Sequence, residues 1–125
     1  EVLELHGSVH RNYCTRCGEF HDLDYVVKCD GVPHCSCGGV IKPDVVLYEE
    51  GLDNEVIERS IAHIRKADML IIGGTSLVVY PAAGMIDYFK GKYLAVLNRD
   101  ATSRDKQADL CITDPIGEVL GRIRV

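Results

Sequence analysis

Short apolar runs recur along the chain and are separated by more polar stretches. They are VLEL at 2–5, VVL at 45–47, MLIIG at 69–73, YLAVLN at 93–98 and LCI at 110–112. Short runs of this kind, the later ones ended by Gly, Asn or Asp, are typical of strands that are buried on both faces of a sheet. The pattern therefore predicts a strand at each of these places.

An amphipathic helix is predicted over residues 54–66, NEVIERSIAHIRK. Ile57, Ile61 and Ile64 follow the spacing i, i+4 and i+7, so they share one face of the helix. Asp53 precedes this segment and is a favourable N-cap, because its carboxylate accepts hydrogen bonds from N–H groups of the first turn.

Two further helices are predicted nearer the end of the chain. One follows Pro81, which suits the first helical position, and ends near Gly91. The other begins after Asp114-Pro115, with Asp114 as the predicted cap, and runs to about Arg124. Strands that alternate with helices favour right-handed crossovers and a parallel, doubly wound sheet. We therefore expect an α/β fold.

Four of the six cysteines form two tight pairs, Cys14 with Cys17 and Cys35 with Cys37. Two such knuckles, each followed by glycine, have the spacing of a single tetrahedral zinc site. A site closed by four sulfurs is structural, so the ion is expected to hold the fold together and to perform no chemistry. The zinc segment, about residues 12–41, interrupts the alternation of strands and helices as an inserted module.

Two alternatives for the paired cysteines are buried reduced thiols and a redox pair. Cys29 lies between the pairs and is not counted as a ligand, and Cys111, in DLCITD, is expected to fill the core. The histidines near the pairs are expected at the surface: His10, His21 and His34. His21 and His34 are the first substitutes if one of the cysteines is not a ligand.

Composition and charge exclude several classes of function. The 125 residues carry a formal charge of −5 without clustered Lys or Arg, which argues against direct contact with nucleic acid. The longest apolar run, Met69 to Ile72, is far too short for a membrane span, and residues 1–20 lack a signal-peptide pattern. We therefore expect a cytoplasmic protein without membrane contact, in which paired thiols favour metal over disulfides.

Polar residues follow two of the predicted strands, where the ligand crevice of an open parallel sheet lies. GGTS at 73–76 allows close approach of the backbone and offers hydroxyl and N–H donors to a phosphate or ribose. NRD at 98–100 is placed to meet ribose hydroxyls. Both segments are also good turn formers, so a simple turn is an equal alternative at each.

Taken together, these stretches resemble the sirtuins, a family of NAD-dependent protein deacylases. The resemblance covers the whole chain and is carried by HG at 6–7, the cysteine pairs, IKPDVVLYEEGL at 41–52, GTSLVVYPAAG at 74–84, LN at 97–98 and IGEVL at 116–120. It implies the C-terminal half of a catalytic domain of bacterial or archaeal type. Residues 1–11 and 42–125 would form an incomplete Rossmann-like, NAD-binding sheet, and residues 12–41 an inserted zinc-ribbon module with four cysteine ligands.

The resemblance also implies roles for individual residues. His6 is implied as the general base, which takes a proton from the ribose while the acyl group of acyl-lysine passes to ADP-ribose and nicotinamide leaves. The implied NAD contacts are Gly74, Thr75, Ser76, Asn98, Arg99, Asp100 and Ile116. The implied contacts to an acylated protein substrate, which would bind as an added strand, are Val45, Val46 and Tyr48 on one side and Val78 to Tyr80 on the other.

The chain departs from the family pattern in two respects. Where the family commonly has Phe-Gly-Glu, this chain has Tyr48-Glu49-Glu50, and Glu49 is expected to favour basic residues beside the target lysine. The family's Gly-Ala-Gly-Ile-Ser loop, flexible loop and Gln-Asn-x-Asp motif are absent, so we expect no deacylation by these 125 residues alone. The alternative functions are transfer of ADP-ribose to a protein side chain and a non-catalytic, zinc-dependent binding module.

Overall fold

A computed structural model describes residues 1–124, which form two compact units, residues 1–56 and residues 57 onward. The first unit contains an antiparallel sheet of three strands: β1 (Gly7–Cys14), β2 (Phe20–Asp22) and β3 (Ile41–Val45). Their order is β2-β1-β3, so β1 is the central strand. A short helix, α1 (Leu23–Lys28), follows β2 and is capped by the Asp22 carboxylate, which accepts a hydrogen bond from the Tyr25 N–H.

The pairing of β1 with β3 shifts register between Ser8 and Asn12. Asn12 is almost fully buried at 1% exposure, although it is polar. Its side-chain amide donates to the carbonyls of Val9 at 3.0 Å and His21 at 3.3 Å, so the irregular part of β1 is tied to β2. These bonds compensate the cost of burying the amide.

The second unit contains a parallel sheet, β4 (Met69–Gly73), β5 (Tyr93–Leu97) and β6 (Leu110–Ile112). The strands pair in sequence order, which confirms the strands predicted at 69–73, 93–98 and 110–112. The core of this unit consists of the buried side chains of Ile72, Leu94 and Val96 and of partly buried apolar residues around them. The α/β class with a parallel sheet is therefore confirmed.

Two strand predictions near the start of the chain were wrong. Residues 2–5 form no strand; Val2 is 83% exposed, and a turn leads from Glu4 to Gly7, whose N–H donates to the Glu4 carbonyl. The strand predicted at 45–47 ends at Val45, and it pairs antiparallel with β1 rather than joining the parallel sheet. Apolar runs of three or four residues do not show which partner strand is available, because pairing is set by tertiary contacts.

The predicted helix at 54–66 is confirmed as α2 (Asn54–Lys66). The Asp53 carboxylate accepts hydrogen bonds from the N–H groups of Glu55 at 2.8 Å and Val56 at 3.4 Å, so the predicted cap is also confirmed. No helix within residues 1–124 is long and apolar enough to cross a membrane.

The two later helices are shorter than predicted. The first comprises α3 (Ala82–Met85) and a 3-10 turn, Ile86–Tyr88; it stops before Gly91 because Phe89 is extended and packs on the buried core. The second, α4, spans Ile116–Gly121. Pro115 occupies its N-cap position without a side-chain hydrogen bond, so Asp114 is not the cap.

Cys111 does not fill the core. Its side chain is exposed, because β6 is the edge strand of the parallel sheet and presents Leu110 and Cys111 outward. Its thiol lies 3.6 Å from the Asp105 carbonyl, at a 3-10 turn formed by Asp105–Gln107.

The predicted boundaries at residues 12 and 41 stay a prediction. β1 runs through residue 12 and β3 begins at residue 41, so each boundary falls at or inside a strand of one antiparallel sheet. Residues 7–11 and 42–45 therefore share this sheet with the cysteine segment.

Candidate metal and cofactor sites

The sulfur atoms of Cys14, Cys17, Cys35 and Cys37 converge, all within 4.8 Å of one another. Cys14 ends β1, Cys17 lies in the turn that follows, and the second pair lies in the loop before β3. The Sγ atoms are 3.4 Å apart between Cys14 and Cys37, 3.7 Å between Cys17 and Cys35, and 3.5 Å between Cys17 and Cys37.

These separations fit a zinc ion. A disulfide needs sulfurs about 2.05 Å apart, so the cysteines are free thiols. A tetrahedron with Zn–S bonds of about 2.3 Å has sulfur–sulfur edges of about 3.8 Å, close to the distances between the cysteine sulfurs. The donor set and its spacing therefore suit zinc held by four thiolates.

Gly39 permits the close packing of the two knuckles. A Cβ atom at this position would lie 2.6 Å from Cys14 Sγ and 2.7 Å from Arg16 Cβ, closer than side chains approach one another. The backbone also joins the first knuckle to the segment after the second, since the Thr15 N–H donates to the Val40 carbonyl. Within the second knuckle, the Cys35 N–H donates to the Gly39 carbonyl. A glycine after the second pair is thus required by contact distance.

The cysteines of this site differ in the direction of their pKa shifts. Backbone N–H groups of Cys17 and Arg16 lower the pKa of Cys14 to about 6, because they stabilise the thiolate. The Cys35 thiol instead donates to the Glu19 carboxylate at 3.0 Å, which raises the pKa of Cys35 by stabilising its protonated form.

The other cysteine and the histidines near this cluster have different environments. Cys29 lies outside the cluster, and its thiol donates to the Tyr25 carbonyl. His10 and His34 are exposed, and a ring nitrogen of His34 lies 2.7 Å from the Val32 carbonyl. His21 is only partly exposed, and one of its ring nitrogens lies within 4.8 Å of Cys35 Sγ and a Glu19 carboxylate oxygen.

A cavity of about 530 Å³ lies at the carboxyl ends of β4 and β5. It is lined by all seven residues that the sequence predicts as cofactor contacts: Gly74, Thr75, Ser76, Asn98, Arg99, Asp100 and Ile116. Sequence reasoning missed Leu97, Ala101, Asp114, Pro115 and Gly117, which complete the lining. The one sequence feature that could have indicated these five residues is their position next to the predicted cofactor contacts.

Asn98 connects the two loops of this cavity. Its side-chain oxygen accepts a hydrogen bond from the Thr75 N–H at 3.0 Å, and its amide nitrogen donates to the Asp100 carbonyl at 2.9 Å. The loop after β4 is also shaped by Gly74, which has a φ of +60°, and by a hydrogen bond from the Leu77 N–H to the Thr75 hydroxyl. Residues with hydroxyl, carboxylate and backbone polar groups thus line a cavity whose volume lies in the usual range of small-molecule sites.

Replacing Asn98 with Ala is expected to lower the free energy of unfolding by about 1–3 kcal/mol, because the Thr75 N–H loses its partner. Asn98→Asp keeps an acceptor for Thr75 and loses only the donor to Asp100, so its effect should be smaller. Denaturant unfolding and hydrogen exchange at Thr75 measure both. Ser103→Ala, in the same exposed connection, is the control and should match the wild type; equal stability of Asn98→Ala would contradict the role given to Asn98.

His6 lies immediately before β1 and is exposed. Its carbonyl accepts a hydrogen bond from the Val46 N–H at 3.1 Å, and the adjacent Gly7 pairs with Val45, so the chain around His6 is held against the end of β3. Tyr48 is fully exposed. In the second unit, Val78 is 70% and Tyr80 is 75% exposed, so both remain available to a partner.

A parallel sheet with a cavity at the carboxyl ends of its strands is typical of the class of α/β nucleotide-binding folds. The chain belongs to the Sir2 family, whose model matches residues 1–81. This confirms the resemblance to the sirtuins.

Curated relatives and solved structures support this assignment. The chain is 60% identical over 121 residues to an NAD-dependent protein deacetylase of Clostridium acetobutylicum, and 59% identical over 124 residues to one of Clostridium perfringens. These matches cover 95% and 98% of this chain but 49% and 51% of the relatives, so the chain spans about half their length.

Solved Sir2 structures match the fold closely. One, a complex with the inhibitor EX-527, 2'-O-acetyl-ADP-ribose and a deacetylated p53 peptide, matches with a TM-score of 0.85 and 34% identity. Another, a complex with a p53 peptide and NAD+, matches with a TM-score of 0.84 and 32% identity. Each covers 98% of this chain, and the matches cover 54% and 53% of those chains.

Proposed function

We propose that this chain forms part of an NAD-dependent protein lysine deacylase. The observation that carries the proposal is the cavity at the carboxyl ends of β4 and β5, which gathers the predicted NAD contacts. Relatives named NAD-dependent protein deacetylases and Sir2 structures with NAD+ or acetylated peptide support it. The reaction would transfer the acyl group of acyl-lysine to ADP-ribose, consume one water molecule, and release nicotinamide and the free lysine amine.

The residues around the cavity would hold the nucleotide. Gly74, Thr75 and Ser76 offer backbone and hydroxyl groups to phosphate or ribose, and Asp100 offers a carboxylate to ribose hydroxyls. Ile116 offers an apolar surface to the adenine. Arg99 is exposed and is the one cationic side chain among the lining residues, which also include the carboxylates of Asp100 and Asp114; it would pair with an anionic group of the ligand.

His6 would act as the general base. NAD, when bound, supplies the ribose carbon that accepts the acyl oxygen and the nicotinamide leaving group. The imidazole of His6 would accept the proton that a ribose hydroxyl loses, a task that suits a side chain which can both accept and donate a proton. The Val46 N–H holds the backbone of His6 in place.

The protein substrate would bind through its backbone as an added strand. Val45, Val46 and Tyr48 would contact the acylated segment, and the resemblance implies the same role for Val78 and Tyr80. Recognition through main-chain hydrogen bonds gives affinity with little dependence on sequence. This mode is consistent with the exposed side chains of Tyr48, Val78 and Tyr80.

We further propose that Cys14, Cys17, Cys35 and Cys37 hold a structural zinc within a module of residues 12–41, while residues 1–11 and 42–125 belong to the nucleotide-binding part. We also place the protein in the cytoplasm. The free thiols support this placement, since disulfides form in oxidising compartments.

The function is tested with a chimera in which these residues replace the matching half of the Clostridium acetobutylicum relative. With NAD and an acetyl-lysine peptide, we expect nicotinamide and O-acetyl-ADP-ribose as products, detected by mass spectrometry. His6→Ala should lower turnover by about 100-fold or more, the usual contribution of a general base. His10→Ala removes another exposed histidine of the same unit and should leave turnover unchanged.

Other products would contradict the proposal. A target protein whose mass rises by one ADP-ribose indicates ADP-ribose transfer, and undiminished turnover in His6→Ala removes His6 from the reaction. The 125-residue chain alone should give no product, because the implied loops for the pyrophosphate and nicotinamide lie outside it.

Glu49 is expected to favour peptides with a basic residue beside the acyl-lysine. Of the acidic side chains in this segment, Asp44 pairs with Arg11 at 2.8 Å and Glu50 with Lys42 at 3.1 Å, whereas within residues 1–124 Glu49 has no ion-pair partner. An exposed pair contributes about 0.2–1 kcal/mol, so the preference should be about 1.4- to fivefold.

Glu49→Gln in the same chimera removes the charge and keeps the size of the side chain. A peptide array should then show no preference for Lys or Arg over Gln. An unchanged preference would assign it to other residues. Because Glu49 has a φ of +68°, Glu49→Gly is a useful second variant that also relieves the left-handed backbone.

A further inference from the structure

The side chain of His21 is partly buried beside the cysteine site. Its Nε2 atom is buried and has no hydrogen-bond partner within the described part of the chain, residues 1–124. Buried polar atoms are nearly always hydrogen-bonded, so this ring nitrogen is a candidate for a functional contact. The ring also packs on Tyr25, with the centroids 4.6 Å apart, which restricts its movement.

The neighbours of His21 connect it to the cysteine site. A ring nitrogen of His21, a carboxylate oxygen of Glu19 and Cys35 Sγ all lie within 4.8 Å of one another. Cys35 is the only residue common to this group and the four-cysteine cluster. As a protonated thiol, Cys35 donates a hydrogen bond to the Glu19 carboxylate at 3.0 Å.

Metal binding would remove the hydrogen bond between the Cys35 thiol and the Glu19 carboxylate. A zinc-bound cysteine is a thiolate, so Cys35 no longer has a proton for Glu19 and two hydrogen-bond acceptors then face each other. Four thiolates on one divalent ion also leave a net charge of about −2, to which Glu19 adds. A single N–H donor beside both groups would relieve this repulsion.

We propose that His21 is a positioning residue of the metal site, whose imidazole N–H donates to the Cys35 thiolate and to Glu19 when zinc is bound. His21 is not a ligand in this arrangement, because the four sulfurs already have the separations of a tetrahedral site. The inference rests on the proposed zinc site and on no step of the proposed reaction.

The test uses the full chain loaded with 113Cd and with 15N-labelled histidine. We expect a cadmium chemical shift in the range of four thiolates, together with a slowly exchanging His21 N–H proton that shows scalar coupling to the metal through Cys35. A shift typical of three thiolates and one nitrogen would make His21 a ligand and overturn the proposal, as would absence of the N–H signal. Failure to bind any metal would overturn the zinc site itself.

Variants give an independent measurement. His21→Leu should weaken zinc binding about tenfold or more in competition with a chelator, and speed alkylation of Cys35 in the loaded protein. His21→Gln retains an N–H donor and should recover most of the difference. His34→Leu is the control, because His34 is exposed and outside the cluster. Equal affinities of His21→Leu and wild type would refute the role of His21.

Discussion

Chelation of zinc is expected to unfold the antiparallel sheet of residues 1–56 while the parallel sheet of the other unit keeps its hydrogen bonds. The buried core of the first unit consists of Cys14, Cys35 and Ile41, with Val26 and Cys37 packed on it. Three of these five side chains are proposed zinc ligands, so this core is largely the metal site. Structural zinc contributes about 10–16 kcal/mol in small modules, far more than so few apolar side chains supply.

Hydrogen exchange with mass spectrometry measures this effect. Amides of β1 and β3 should lose protection when the metal is removed and regain it on addition of zinc, whereas amides of β4 and β5 should be unaffected. Cys14→Ser should reproduce the loss, and Cys29→Ser, outside the cluster, should not. Protected β1 amides in the chelated protein would show that the sheet does not depend on metal.

Gly7→Ala is expected to destabilise the first unit by about 2 kcal/mol or more. Gly7 has a φ of +78°, which costs other residues about 1–2 kcal/mol, and a Cβ atom there would lie 1.9 Å from the carbonyl oxygen of Asp44. The backbone of β3 would have to move away, so the strand pairing between Gly7 and Val45, next to His6, would be lost.

Gly31→Ala separates the two contributions. Gly31 has a φ of +81° but no atom within 4 Å of an added Cβ, so it bears only the conformational cost. Denaturant unfolding of the zinc-loaded chain should therefore show a clearly larger loss for Gly7→Ala than for Gly31→Ala. Equal losses of unfolding free energy would contradict this prediction, because they would mean that β3 moves away from the added methyl group without further loss of stability.

Local patterns were sufficient where the interactions are local. The helix at 54–66 and its Asp53 cap depend on neighbours within four residues, and both were predicted correctly. The strands of the parallel sheet were also predictable, because burial between two faces demands continuous apolar residues. The same reasoning failed for β1, whose residues include the exposed Val9 and the buried Asn12.

The proximity of residues 74–76 and 98–100 was predictable for a topological reason. Parallel strands end at one edge of the sheet, so the residues after β4 and β5 had to meet, and both segments line the cavity. The hydrogen bond that joins Asn98 to Thr75 was not predictable, because it depends on side-chain geometry between loops that are distant in sequence.

The amino-acid sequence by itself determined the family, the sulfur donor set and the order of strands and helices in the second unit. Only the tertiary structure decided that β1 pairs with both β2 and β3, that Cys111 faces outward and that, within residues 1–124, His21 Nε2 has no hydrogen-bond partner. The reason is physical: spacing and periodicity record contacts between residues close along the chain. Pairing, burial and orphaned polar atoms depend on which distant segments come together.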